Sequence, residues 1–317
     1  MLPATAGDPI TGLKWTRKTT AKVSDELRKL DIEVGPRTVA RLLDDLDYRL
    51  RVNHKKLSRG STRTRSQRNQ QFLYIEKMRR SFAKRGLPMI SVDTKKKELI
   101  GCFKNQGAAW VQVATPVNDH DFRSDASHIA SPYGVFDPVA NRGHVFVGTS
   151  YDTPAFAAAC VSRWWKTDGC SHYPQADKLL ILADTGGSNG SRCRAWKHGL
   201  MTKLSGPSRL EVTVCHYPTG ASKWNPIEHR LFSQISRNWA GEPLLNLETM
   251  LKFIRTTTTN TGLRVRATLM KGDYPKGLKP TPAEMAMLPL LPHNTLPEWN
   301  YTIVPSQKMS PYSCAAA

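Results

Sequence analysis

The chain has 317 residues, 39% of them hydrophobic, and carries 46 Lys and Arg against 26 Asp and Glu, a formal net charge of +20. Such a length and apolar content support one large domain with a real core and a small one beside it, and the charge asks for a polyanionic partner, nucleic acid first. No apolar run approaches the roughly 18 residues that span a bilayer, no signal-peptide core opens the chain, and six scattered cysteines without a CxxC pair speak against disulfides or zinc.

Met1–Pro88 holds 21 basic and 9 acidic side chains, so the first quarter of the chain carries most of the excess. Thr19 to Leu30, TTAKVSDELRKL, reads as a helix capped by Thr19 or Thr20, with Ala21, Val23, Leu27 and Leu30 on its inner side. A break, DIEVG, leads to Pro36, which opens PRTVARLLDDLDYRL with Val39, Leu42, Leu43 and Leu46 facing the partner helix. Helix, glycine-containing turn, helix is the pattern of a helix-turn-helix unit, and it would place Arg37, Thr38 and Arg41 at base edges or phosphates. An ordinary helical hairpin reads the same way. The eight basic residues between Tyr48 and Ile75, Lys55 and Lys56 among them, have no acidic residue in their midst and favour the DNA-binding reading. Gln70 to Arg85 reads as a connecting helix.

Beyond it the chain predicts a mixed α/β sheet covered on both faces. Met89–Val92 is an apolar run ending in Asp93, and Leu179–Ala183 is another ending in Asp184. Both read as buried strands with a carboxylate at the exit, where functional groups gather in open sheets. Glu98–Phe103, Trp110–Ala114, His144–Thr149 and Leu210–His216 also read as strands, Pro154–Trp165 and Ser191–Leu204 as helices, and Pro116–Arg142 as irregular. Ser222–Gly241 reads as a helix capped by Asn225 with Pro226 at its first position. Its apolar stripe is Ile227, Leu231, Phe232, Ile235 and Trp239, and Glu228 falls near the middle of it. A carboxylate facing a core calls for a metal, a base or a proton, unless it merely closes a capping box. Asp93, Asp184 and Glu228 together favour the former.

Several long motifs, in order, resemble a known family. They are ISVDTKKKELIGCFKNQG from Ile90, HDF at His120, PYGVFD at Pro132, LLILADTGGSNGSRCRAWK from Leu179 and VCHYPTGASKWNPIEHRLFSQISRNWAG from Val214. The resemblance is to the ISAzo-type bacterial insertion-sequence transposases, a group of DDE transposases, and it runs from about Asp8 to WNYTIVP at Trp299 to Pro305. It implies a ribonuclease-H-like mixed five-stranded sheet with helices on both faces, preceded by a small all-α helix-turn-helix domain. The domains expected are 1–60 for the helix-turn-helix, 61–88 for a basic linker and connecting helix, 89–305 for the catalytic domain and 306–317 for a disordered tail.

The same resemblance implies that Asp93, Asp184 and Glu228 are the catalytic residues and hold two divalent ions, Mg²⁺ or Mn²⁺, whose preference for hard oxygen donors they suit. The implied reaction is cleavage of element-end DNA and transfer of the 3′-hydroxyl to target DNA by a cytoplasmic, nucleoid-associated enzyme. Double-stranded DNA is the expected partner, with a homo-oligomer assembled on it and neither a membrane nor a small-molecule substrate. Lys95, Lys96, Lys97, His216, Lys223 and Asn225 are candidate DNA contacts, and His120 with Asp121 a candidate fourth acidic contribution. Relatives carry a further DNA-binding segment upstream. The alternative is therefore a catalytically inactive or N-terminally truncated copy that acts only by binding DNA.

Overall fold

The computed structural model describes residues 5–7, 14–16, 18–50 and 64–305, so Lys55, Lys56 and the tail at 306–317 lie outside the described residues. Two units divide the chain, Met1–Ser58 and Arg59–Ala317.

In the first, strands β1 (Thr5–Gly7) and β2 (Lys14–Thr16) pair antiparallel. Helix α1 (Thr20–Arg28) starts at the Thr19 cap, whose hydroxyl accepts from the Lys22 N–H, and α2 (Pro36–Asp45) starts on its proline. Val23 and Val39 are buried, and the Ser24 hydroxyl donates to the Val34 carbonyl across the turn. Leu30, Leu42 and Leu46, expected to face inward, are 70%, 44% and 68% exposed. Helices of 9 and 10 residues bury little beyond the point where they meet.

In the second unit, α3 (Arg65–Lys84) opens with a capping box between Thr64 and Gln67, five residues before the start expected from the sequence. The chain continues through β3 (Met89–Thr94), β4 (Glu98–Ile100), β5 (His128–Asp137), β6 (Arg142–Gly148), α4 (Pro154–Trp164), a short α5 (Cys170–His172) and β7 (Lys178–Asp184). Then come α6 (Arg194–Leu200), the single turn α7 (Gly206–Ser208), β8 (Glu211–Tyr217), α8 (Ser233–Asn238), α9 (Leu247–Arg255), β9 (Arg264–Met270), α10 (Pro282–Ala286), β10 (Leu290–Pro292) and β11 (Asn300–Ile303).

The strands form one mixed sheet in the order β10, β11, β8, β7, β3, β5, β6, β9, with β4 also paired to β5. The sheet thus has nine strands where five were expected. Its centre is β6, β5, β3, β7 and β8; β4 and the later strands β9, β10 and β11 widen it. β3, β7 and β8 run parallel, while β5 is antiparallel to both β3 and β6. One face is covered by α4 and α6, through Phe156, Cys160, Trp164, Trp196 and Leu200. The other is covered by α3, through Ile75 and Phe82, and by the segment from Ile227 to Trp239 with α9. No helix among the described residues is long and apolar enough to cross a membrane.

Two segments depart from the sequence reading. His128–Asp137, expected to be irregular, is a ten-residue central strand. Its Pro132 falls between the stretch paired with β4, 128–130, and the stretch paired with β3, 133–136. The Pro132 carbonyl faces that gap and accepts from Lys95 N–H, so the missing proline N–H faces the same way and costs the β6 ladder nothing. Trp110–Ala114, expected to be a strand, pairs with no strand among the described residues, and Trp110 is fully exposed.

Candidate active site

Strands β3 and β7 set the first two carboxylates. Ser91 stands opposite Leu182 in a parallel register, and Asp93 and Asp184 each follow two residues later, so period-2 alternation puts them on the same face at neighbouring strand ends. That face is the one on which the Ile227–Trp239 segment lies. The segment lies close because Gly134 of β5 and Gly143 of β6 have no side chain. A Cβ on Gly134 would stand 2.6 Å from Phe232 and 2.7 Å from Ile227, and one on Gly143 would stand 2.5 Å from Leu231. Ile227, Leu231, Phe232, Ile235 and Trp239 are all buried, as their stripe predicted.

The helix over this face contains a π-helical turn, Glu228–Phe232, before α8. Such turns redirect side chains and recur at functional sites. The capping-box reading of Glu228 does not hold: the Asn225 N–H donates to the Ser222 carbonyl at 2.8 Å, and Glu228 lies near enough to Asp93 for its charge to act on that carboxyl. Nor does the Asn225 side chain cap the helix. The Ser91 hydroxyl on β3 takes the Ile227 N–H at 3.1 Å. Asn225 is fully buried and turned into the sheet. Its Nδ2 donates to Asp184 Oδ1 at 3.2 Å and to the Val92 carbonyl at 3.3 Å, and its Oδ1 accepts from Ser91 Oγ. One side chain therefore ties the second aspartate to the strand that carries the first.

The carboxylates repel one another in a partly desolvated place. Burial, then the charge of Asp184, then that of Glu228, push the Asp93 carboxyl up to about 8, against the Thr94 N–H that donates to it at 2.8 Å. Burial and Glu228 raise Asp184 to about 6, against the Asn225 hydrogen bond. No Lys or Arg forms an ion pair with any of the three among the described residues. As they stand, no three His, Cys, Asp or Glu side chains among the described residues are drawn together closely enough to hold one ion. The three act on one another through charge: Asp93 lies within the field of Asp184 and Glu228, and Asp184 within that of Glu228.

Beside Glu228 a cavity of about 590 Å³ is lined by Lys95, Lys96, Lys97, Lys104, Arg123 and Trp239, among others. Lys95 is not open to a ligand there, since its ammonium pairs with Glu98 at 2.5 Å and sits 4.6 Å from the Trp239 ring centre. Lys96 and Lys97 are exposed. Lys223 is exposed as well, over the Trp224 ring. His216 is fully buried. Its Nδ1 bonds the Asp184 carbonyl at 2.8 Å, and burial lowers its pKa to about 4, so it is a neutral support for the strand end rather than a DNA contact. Asp121 is exposed and also lines the cavity. A fourth carboxylate that the sequence reading missed, Asp152, accepts from Thr94 Oγ1 at 3.2 Å. Asp152-Thr153-Pro154 reads locally as a helix start, and nothing in that signal reaches across to β3.

The family model described as "Rhodopirellula transposase DDE domain" matches residues 1–305. The chain belongs to this DDE transposase family. No curated protein sequence matches it. Among solved structures it is similar to Mos1 transposase. The "Mos1 transposase paired-end complex with left transposon end" aligns at 11% identity with a TM-score of 0.44, over 74% of this chain and 65% of that one. The "Mos1 mariner paired end complex with Mn" aligns at 15% identity and 0.45, over 74% and 65%. The "Mos1 Strand Transfer Complex" aligns at 14% and 0.45, over 74% and 64%. This DDE-family chain thus spans just under two thirds of the Mos1 chains it matches.

Proposed function

We propose that the chain is a DNA transposase that cleaves the ends of a mobile element and joins the freed 3′-hydroxyl to target DNA. The observation that carries this reading is the placement of Asp93 and Asp184 side by side at the ends of β3 and β7, with Glu228 close enough for its charge to act on both. Their donor chemistry fits Mg²⁺ or Mn²⁺, because hard oxygen donors suit these ions and Asp93 and Asp184, raised by burial and by neighbouring carboxylate charge, gain most when divalent charge neutralises them. Asp93, Asp184 and Glu228 would hold two ions, which when bound activate an attacking water or 3′-hydroxyl and stabilise the leaving oxygen.

The rest of the work falls to the chain's own side chains. Asn225 keeps one Asp184 oxygen turned toward β3 and leaves the other to face the ligand. The Thr94 N–H fixes one oxygen of Asp93 in the same way. Lys96, Lys97, Lys104 and Arg123 supply phosphate partners in the cavity beside Glu228, and Lys223 a further one. Helices α1 and α2 act as the helix-turn-helix, with Arg37 and Arg41 exposed on α2 and Thr38 between them. The functional domains follow as 1–60 for recognition, 61–88 for the link and 89–305 for catalysis, and the protein works as a homo-oligomer on paired ends.

The test is nicking and joining of labelled element-end duplex by the full chain with Mg²⁺, wild type beside Asp184→Asn. Metal-dependent nicking by wild type alone is expected. Equal nicking by both proteins would falsify the catalytic assignment, and binding without nicking by wild type would leave the DNA-binding-only alternative in its place.

A further inference from the structure

The face of the sheet that carries α4 and α6 has a feature the catalytic reading does not use. Two grooves, of about 560 and 410 Å³, share Thr202 and Lys203 and so run into one another. The combined groove follows the outer side of α4. It begins at Asp152, passes Ala155 and Ala159, and ends at Arg163 and Lys166, with Lys276 and Lys279 on its opposite wall. Its beginning adjoins the end of the sheet that carries Asp93, because Asp152 accepts a hydrogen bond from the hydroxyl of Thr94, the residue after Asp93.

Charge in this groove is lopsided and available. Arg163, Lys203, Lys276 and Lys279 are exposed and form no ion pair among the described residues. The two carboxylates of the lining are engaged, Asp152 by Thr94 and Glu284 by the N–H and hydroxyl of Thr281 at 2.7 and 2.9 Å. Ala155, Ala159 and Gly277 keep the floor low, so a phosphate backbone can come close. The 11 residues of α4 make a rise of about 16 Å, the length of about five base pairs at roughly 3.4 Å each.

The chemistry is also neutral to sequence. Lysines on flexible stems contact phosphates as point charges, and the groove offers only one guanidinium fork to read a base. An element end has a fixed sequence to be recognised; the DNA that receives it need not. Strand joining requires two duplexes at one set of carboxylates, and the cavity beside Glu228 lies on the other face of the sheet.

We propose that the groove along α4, from Asp152 to Lys166, seats the target duplex. This rests on the transposase reading above. The experiment uses the full chain carrying Arg163→Glu, Lys203→Glu and Lys276→Glu together, beside a control of equal charge change at Lys84, Arg209 and Lys252, all exposed and outside the groove. Binding to a short duplex of random sequence is measured across salt concentrations. The groove variant is expected to lose about 3 from the log–log salt slope, about 0.9 per lost phosphate contact, while the control keeps more of the slope. A groove variant that matches the control overturns the proposal.

In the joining assay, strand transfer into the random duplex should fall more steeply than nicking of the element end. A parallel fall in both would assign the groove to the element end and overturn the target assignment. If wild type neither nicks nor joins, the transposase reading fails, and the binding arm still decides whether the groove takes DNA.

Discussion

The two ends of the central strands hold acidic clusters of opposite character. At the end where β5 turns into β6, Asp168 is met by His144 Nδ1 at 2.6 Å and by Arg266 at 2.5 Å, and Asp137 accepts from Tyr173 at 2.7 Å and from two backbone N–H groups. Burial alone would raise Asp168, but the hydrogen bond and charge of His144 and the charge of Arg266 outweigh it and hold its carboxyl below the ordinary range. At the other end Asp93, Asp184 and Glu228 have only one another and a few neutral donors, and two of them are pushed up. One cluster has cationic partners, and the other has no ion pair with Lys or Arg among the described residues. Burial is common to both, so partners rather than depth separate an acid satisfied by the fold from one proposed for catalysis.

The comparison is easiest to break by removing a charge from each end. Asp93→Asn, Asp184→Asn or Glu228→Gln should bring nicking to background while leaving the melting temperature unchanged or higher, because repulsion is relieved. A clear loss of stability in these variants would mean that the acids hold the fold. Next in size is the cation itself. Mg²⁺ at a hundred times its Kd should stabilise the protein by about 2.7 kcal/mol, read as a rise in melting temperature that Asp184→Asn abolishes.

Asp168→Asn should cost about 2 kcal/mol, since it removes charge-assisted hydrogen bonds from a side chain only 15% exposed. Urea unfolding measures it, and nicking per folded molecule should hardly change.

Acidity gives the two ends opposite signs. Asp93 and Asp184 have folded pKa values above their unfolded ones, so their contribution is fully present below about pH 4 and is lost as pH rises through about 6 and about 8. The metal-free protein should therefore melt lower at pH 8 than at pH 6. Asp168 is depressed, so its contribution is present above the unfolded value near pH 4 and is lost on acidification below it. A metal-free stability curve flat between pH 5 and 8 would contradict the crowding of the trio. The smallest effect on DNA binding concerns Lys95, already paired with Glu98: Lys95→Met should alter the salt slope for DNA less than Lys96→Met, although it strands a Glu98 side chain only 13% exposed and so costs about 3 kcal/mol in stability.

What the sequence made legible follows from how local each signal is. Strands β3 and β7 announce themselves as apolar runs, and the stripe from Ile227 to Trp239 announces its helix, so the trio could be named before its geometry was known. Strand β5 was hidden because Pro132 and Gly134 carry turn signals, and their real reasons lie elsewhere: a gap between β3 and β4, and the closeness of Phe232. Asn225 was read as a cap because that is what an asparagine before a proline does alone. Its work is done on β3 and β7, 41 and more residues away. Asp152 and the groove beyond it depend on contacts between distant segments, which no local pattern encodes.

The bare backbones at Gly134 and Gly143 bear on how gene copies of this kind decay. A single methyl at Gly134 would wedge Phe232 and Ile227 outward and carry Glu228 with them, without touching any acid. A copy can thus retain every acidic letter of its signature and still be silenced by a change on a strand that holds none of them. Inspection for lesions belongs at these two glycines as much as at the acids.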